Sequence, residues 1–225
     1  MTGARLGDDG RGEPVMGELD YSSLSIQELL TRIAAKTPAP GGGAVTAMAT
    51  SMAAALCAMA ARYSTEQMLD ASDLADRAED VSRNVAGLAQ RDAEAYRRVL
   101  AALAMPREPD PEQRRRAVRS ALSDAADVPL AIAEAAASVT SMGAELATKG
   151  NPNLRGDAIT ATLLADAAAR AAGSLVAINL AREPDDARLA RVRDCTARTA
   201  AAASEITHST AGSPSTAGTA GTGSA

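Results

Sequence analysis

Few side chains here can move a proton near neutral pH, and each can be weighed on its own. The single histidine, His208, stands close to the C-terminal end. A histidine base, a Ser-His-Asp arrangement and the common His/Cys zinc sites are therefore not expected. Acid–base work falls to carboxylates and lysine. Asp92 is followed one helical turn later by Tyr96, which puts the two on one face, and Ala89, Ala93 and Ala95 keep the surroundings low. An aspartate among small side chains in a helix bundle loses water and titrates high, which suits a general acid or base. The alternative is an exposed carboxylate paired with Arg91 or Arg97. Asp157 follows the loop Gly150-Asn-Pro-Asn-Leu-Arg-Gly156 at an expected helix start, where aspartate is an ordinary cap. Capping leaves Asn151 and Asn153 unexplained, and their amides can hydrogen-bond a heterocycle.

Of the 23 basic residues only Lys36 and Lys149 are lysines, and each flanks a glycine-bearing loop. Lysine offers a compact, titratable ammonium that arginine does not. The helix dipole accounts for Lys149 in a last turn, and leaves Lys36 between a functional role and a surface cap. The stretch Lys36-Thr-Pro-Ala-Pro-Gly-Gly-Gly43 is the most informative of the chain. Pro38 and Pro40 stiffen the approach, and Gly41, Gly42 and Gly43 strip the Cβ atoms from a helix start. An anion, a planar ligand or another backbone can then come close to the first free N–H groups.

These residues need helices to hold them. About a quarter of the 225 residues are alanine, while Phe and Trp are absent and Tyr occurs three times. No stretch alternates β-branched or aromatic residues with period two, so the expected fold is all-α, closely packed through small side chains. The length suits one domain over 21–208, between a loose arm at 1–20 and a Ser/Thr/Ala/Gly tail at 209–225. Ser25 and Glu28 read as a capping box, with Leu24 and Leu29 as the staple across it. A buried second helix is expected from about Gly43 to Arg62 and a long third one from near Glu66 to Leu103. Asp110-Pro-Glu-Gln113 restarts a helix that Pro129 should kink or divide and Gly150 should close. A further helix runs past Ile178 to a stop at Pro184, and a last one carries Leu189, Val192, Cys195 and Ile206. The lengths describe an elongated antiparallel bundle.

A net charge of −5, without aromatic residues interleaved among basic ones, argues against nucleic acid as partner. The run Arg114, Arg115, Arg116 and Arg119 reads as a solvated face. Cys57 and Cys195 are expected as two buried thiols of a cytoplasmic protein. Residues 37–61 carry no charge, so a membrane helix has to be weighed. Their Ala, Gly, Thr, Ser and Met content is weakly hydrophobic and favours a bundle interior, so no membrane partner is expected. The polar, glycine-rich first twenty residues do not read as a leader.

Three segments carry a family resemblance: KTPAPGGGAV, RDAEAYRRVLAALAMP and GNPNLRGDAITATLLADAAARAAGSLVAINL. In this order and spacing, over about residues 22–206, the chain resembles the cyclodeaminase/cyclohydrolase family. That family includes the cyclodeaminase half of formiminotransferase-cyclodeaminase and stand-alone methenyltetrahydrofolate cyclohydrolases. The resemblance implies an all-helical homodimer that binds a tetrahydrofolate derivative as substrate beside the Pro/Gly loop, with carboxylate acid–base chemistry, no metal and no further cofactor. The implied reaction is closure of 5-formiminotetrahydrofolate to 5,10-methenyltetrahydrofolate with release of ammonia, or hydrolysis of 5,10-methenyltetrahydrofolate to 10-formyltetrahydrofolate. The alternative is a folate-binding helical scaffold without turnover. Carried onto matching positions, the resemblance makes Asp92 and Asp157 proton-transfer groups and Lys36 a charge-stabilising or substrate-binding residue. Pro40, Gly41, Gly42, Gly43, Tyr96, Asn151 and Asn153 then shape the folate site.

Overall fold

The computed structural model describes residues 20–211, of which 209–211 by their backbone alone. All of the expected arm over 1–20 except Asp20, and most of the expected tail over 209–225, lie outside the described residues. Six α-helices follow in order: α1 (Ile26–Ala34), α2 (Gly42–Arg62), α3 (Ala71–Ala104), α4 (Pro111–Lys149), α5 (Arg155–Asn179) and α6 (Ala187–Ala211). Among the described residues there is no strand, as the composition predicts.

Local sequence sets most of the boundaries. Ser25 and Glu28 form the capping box in both directions, with the Ser25 main-chain N–H donating to Glu28 Oε2 at 3.0 Å and the Glu28 N–H donating to Ser25 Oγ at 3.3 Å. Asp110 accepts from the Gln113 N–H at 2.9 Å, with Pro111 in the first turn. Arg114 does more than face solvent. Its guanidinium donates to the carbonyls of Leu103 and Met105 at 2.8 and 3.0 Å, closing the break between α3 and α4. Arg115 pairs with Glu112 and Arg119 with Glu183, as a solvated face should.

Three expected boundaries need correction. The third helix starts at Ala71 rather than near Glu66, because residues 63–70 are taken up by turns around buried Ser64, whose Oγ donates to Ala60 O at 2.8 Å. α5 ends at Asn179, ahead of Pro184, and α6 continues to Ala211, into the segment expected to be tail. Pro129 does not divide its helix, since α4 runs unbroken for 39 residues. Proline has no N–H to give the carbonyl four residues back, here that of Ala125. Asn179 supplies the missing donor from α5, its Nδ2 lying 3.0 Å from Ala125 O.

α2 lies against α3, α4 and α5, and α4 against α3, α5 and α6. The core between them is mainly alanine with Leu74, Ile132, Val139, Val176 and Leu180 as its largest fully buried apolar side chains. Close helix approach is visible at Gly143, where an added Cβ would strike Thr162 Oγ1 of α5. Cys57 and Cys195 are free and buried, and burial pushes the Cys57 thiol up to about 12, so it stays protonated. α2 and the stretch Pro152–Asn179 are each long and apolar enough to cross a membrane by length and composition, and about half of each is covered by protein.

Candidate active site

The α2 N-terminus meets the middle of α3 and the C-terminal end of α5 around a cavity of about 330 Å³. Pro38, Ala39, Gly41, Gly42 and Gly43 form one wall, Asp92 and Tyr96 a second, and Ala125, Leu175, Ile178 and Asn179 complete it. A volume at the lower end of small-molecule sites suits a fused bicyclic ring rather than a whole folate.

Asp92 is half-buried there. Burial holds its pKa above the ordinary aspartate value, against a smaller opposing pull from the Ala44 N–H, which donates to the carboxylate. The glycine run makes this contact geometrically available. A Cβ on Gly43 would land inside the Asp92 carboxyl group, whereas Gly41 and Gly42 have nothing within 4 Å of an added Cβ. The close approach foreseen at the glycines is thus made at Gly43 by the protein's own carboxylate, and Gly41 and Gly42 leave bare backbone facing the cavity. Tyr96, 43% exposed, stands one turn from Asp92 on the same face. Tyr21 packs nearby, its phenol pushed up by burial and also feeling Arg97, Arg32 and Asp92.

Asn179 is a functional candidate that sequence reasoning passed over. Its Nδ2 is committed to Ala125 O, so its orientation is set and its Oδ1 remains to accept a hydrogen bond. The signal was Pro129, which announces a carbonyl at position 125 in need of a donor.

The other expected site residues are distributed as follows. Pro40 is buried behind the wall, and Lys36 is exposed two residues before Pro38, outside the cavity lining. Asn151 and Asn153 stand at the opposite end of α2. The Asn151 N–H donates to Ser64 Oγ and its Nδ2 to Tyr63 O, both at 2.9 Å, while its Oδ1 accepts from the Asn153 N–H at 3.0 Å. Asp157 lies in the first turn of α5, whose far end lines the cavity. At 1.5 Å per residue, the 21 residues of α2 put roughly 30 Å between the two sets. Within one chain the structure brings together Gly41, Gly42, Gly43, Asp92 and Tyr96, and it does not bring Asn151, Asn153 or Asp157 to them. Among the described residues no group of three or more His, Cys, Asp or Glu side chains is placed to hold a metal ion.

Fold and cavity together are those of an all-helical protein with a half-buried carboxylate facing a cavity at a glycine-bared helix start. The chain belongs to the formiminotransferase-cyclodeaminase family, which matches residues 25–198. It is 33% identical over 177 residues to methenyltetrahydrofolate cyclohydrolase of Methylorubrum extorquens, covering 75% of this chain and 85% of that protein. It is 32% identical over 176 residues to formimidoyltransferase-cyclodeaminase of Sus scrofa, but spans only 32% of that relative's length. The crystal structure of formiminotetrahydrofolate cyclodeaminase from Thermotoga maritima superposes with a TM-score of 0.68 at 25% identity, over 83% of this chain and 98% of that one.

Proposed function

We propose that the protein is a folate one-carbon enzyme that hydrolyses 5,10-methenyltetrahydrofolate to 10-formyltetrahydrofolate. The observation that carries this reading is Asp92, a half-buried carboxylate with a raised pKa at the wall of a cavity the size of a bicyclic ring. The hydrolytic direction is chosen because the Methylorubrum relative, matched over 85% of its length, is named for it. Both relatives bear the names of enzymes, which supports turnover over an inactive scaffold.

The methenyl carbon lies between two nitrogens, and water adds to it to form a tetrahedral intermediate. The Asp92 carboxylate takes one proton from the incoming water and delivers it to N5 as the C–N5 bond breaks; the intermediate's hydroxyl loses the other to solvent as the formyl C=O forms on N10, so the methenyl cation and water give neutral product and one released proton. A carboxyl group raised toward neutrality serves in both directions. Gly41 and Gly42 let the flat ring lie against the α2 start, Asn179 Oδ1 accepts from an N–H of that ring, and Tyr96 borders the reacting edge. Lys36, on the exposed turn, meets negative charge on the substrate.

The same groups serve ammonia release, which the Thermotoga neighbour's name favours. There Asp92 would take the N10 proton as N10 closes on the formimino carbon and hand it to the departing nitrogen. Purified protein given each substrate separately distinguishes the two. Hydrolysis of the methenyl compound above the buffer rate, without ammonia formation from the formimino compound, is expected. The reverse assigns the cyclodeaminase reaction, and inertness toward both overturns the enzyme reading. A homodimer of a cytoplasmic protein, with no membrane partner, completes the proposal.

A further inference from the structure

Of the arginines on α6, Arg188 pairs with Asp186 and Asp127, Arg191 with Glu134, and Arg198 with Asp194. Arg193 alone of this set has no carboxylate partner among the described residues. It stands on the rim of a second cavity, an open groove of about 610 Å³ between α5 and α6. The groove lies on another flank of α5 from the Asp92 cavity: Gly173 and Ala177 line the groove, whereas Leu175 and Asn179 line the cavity.

Across the groove from Arg193 stands Arg170 of α5. Arg170 is held from beneath. It binds Asp166 Oδ2 at 2.9 Å, and Asp166 is 5% exposed, with its Oδ1 accepting from the Thr199 hydroxyl at 2.8 Å. A carboxylate taken out of water is costly unless charge and hydrogen bonds replace the water, and here both do. The contact engages one guanidinium nitrogen and orients the planar group, leaving its other N–H donors beside the groove.

Two contacts set the register of the antiparallel helices. One is the Asp166–Thr199 bond; the other is the close approach at Gly173, where an added Cβ would meet Thr196 Cγ2 at 3.2 Å and Val192 Cγ2 at 3.3 Å. In that register Arg170 is level with Thr196, about 4.5 Å along the axis from Arg193. Both guanidinium groups can therefore approach the two oxygens of one carboxylate.

Asp166 neutralises Arg170, and no carboxylate is among the described residues that line the groove, so it carries one uncompensated positive charge. Ala177, Leu189, Val192 and Ala197 make the rest of the lining mainly apolar. Ser174 and Thr196 also line it, but their hydroxyls donate to main-chain carbonyls of their own helices. One net cation beside an apolar floor favours a monoanion with an apolar body over a phosphate dianion or a neutral molecule. We propose that the α5–α6 groove is a second ligand site, which takes an organic monocarboxylate of apolar body and holds its carboxylate between Arg170 and Arg193. Such a carboxylate belongs either to a separate molecule or to the far end of the one whose ring fills the Asp92 cavity, since both sites share α5. Only the second source rests on the folate reading.

1-Naphthoate is the probe, with 1-naphthylmethanol as its uncharged counterpart. Titrated into the isotope-labelled full chain, naphthoate is expected to saturate with a dissociation constant at or below about 1 mM. It should shift the amide signals of residues 170–177 and 189–197. R193Q removes no described ion pair and should weaken naphthoate by about tenfold or more while leaving naphthylmethanol unchanged. A177F, which fills the groove from an exposed position, should abolish the binding of both. Naphthoate binding that is insensitive to R193Q, that the alcohol matches, or that shifts only signals around Gly43 and Asp92 overturns the proposal. KM for 5,10-methenyltetrahydrofolate then separates the sources. A rise in R193Q that parallels the loss of naphthoate assigns the site to the substrate's own carboxylate, and an unchanged KM assigns it to a separate ligand. A protein inert toward folates that still binds naphthoate through Arg193 removes the folate reading and leaves the site standing.

Discussion

Asp92 is held between burial, which favours its protonated form, and the Ala44 N–H at a helix start, which favours the anion. Burial wins, so the folded protein binds this proton more readily than the unfolded chain. Asp92→Asn is accordingly expected to lower turnover by about 10²- to 10⁴-fold. It should also unfold at higher denaturant than wild type at neutral pH. That stability gap is absent below the unfolded aspartate's pKa, where both side chains are neutral, and it opens as pH rises through 3.8 toward the higher folded value. Denaturant midpoints of the two proteins across the acid range check the sign. Gly43→Ala pushes a methyl group into the carboxylate and should cost about 100-fold in turnover through displacement of Asp92. Much of this was legible in residue types: one histidine, an aspartate among alanines, and a proline–glycine turn. The partner of the glycines was not, because the approach of α3 to α2 is set by the packing of whole helices and leaves no local pattern.

At the scale of elements, helix starts were legible because caps are local chemistry, as at Ser25 and Asp110. Ends and continuity were less so, since they depend on groups far along the chain. Pro129 shows why: its helix survives because Asn179 of another helix donates to the Ala125 carbonyl. Asn179→Leu removes that donor and the acceptor facing the cavity. It should cost about 1–3 kcal/mol of stability through the unpaired carbonyl, and raise KM more than it lowers kcat. Calorimetry and steady-state kinetics together check both parts. The α6 start is tied down by Arg188, which binds Asp186 at 2.8 Å and donates to Ser123 O at 2.8 Å and to Asp127 Oδ1 at 2.6 Å. The Arg188 side chain, with its own N–H second, holds Asp186 down to about 2. A lowered carboxylate stabilises above its unfolded pKa and stops doing so as pH falls through its folded one. The stability difference between wild type and Asp186→Asn should therefore be constant near neutrality and shrink between pH 3.8 and about 2 in acid titrations.

On the scale of the whole molecule, alanine-rich helices pack closely around a core short of large side chains, and the two most apolar helices keep half their surface outward. The uncharged run over 37–61 made α2 visible in the sequence. What sequence order hides is that the motifs at Gly41–Gly43 and at Asn151–Asp157 occupy opposite ends of a 21-residue helix, so motif proximity cannot be inferred from a shared family pattern. The central claim is that Asp92 moves the proton in a folate one-carbon reaction. Absorbance of 5,10-methenyltetrahydrofolate, followed with wild type, with Asp92→Asn and with no protein, tests it most directly. Loss of the methenyl chromophore faster than in buffer with wild type, and at the buffer rate with a folded Asp92→Asn protein, is the predicted result. Equal acceleration by both proteins would contradict the role of Asp92, and no acceleration by wild type would contradict the hydrolytic reaction itself.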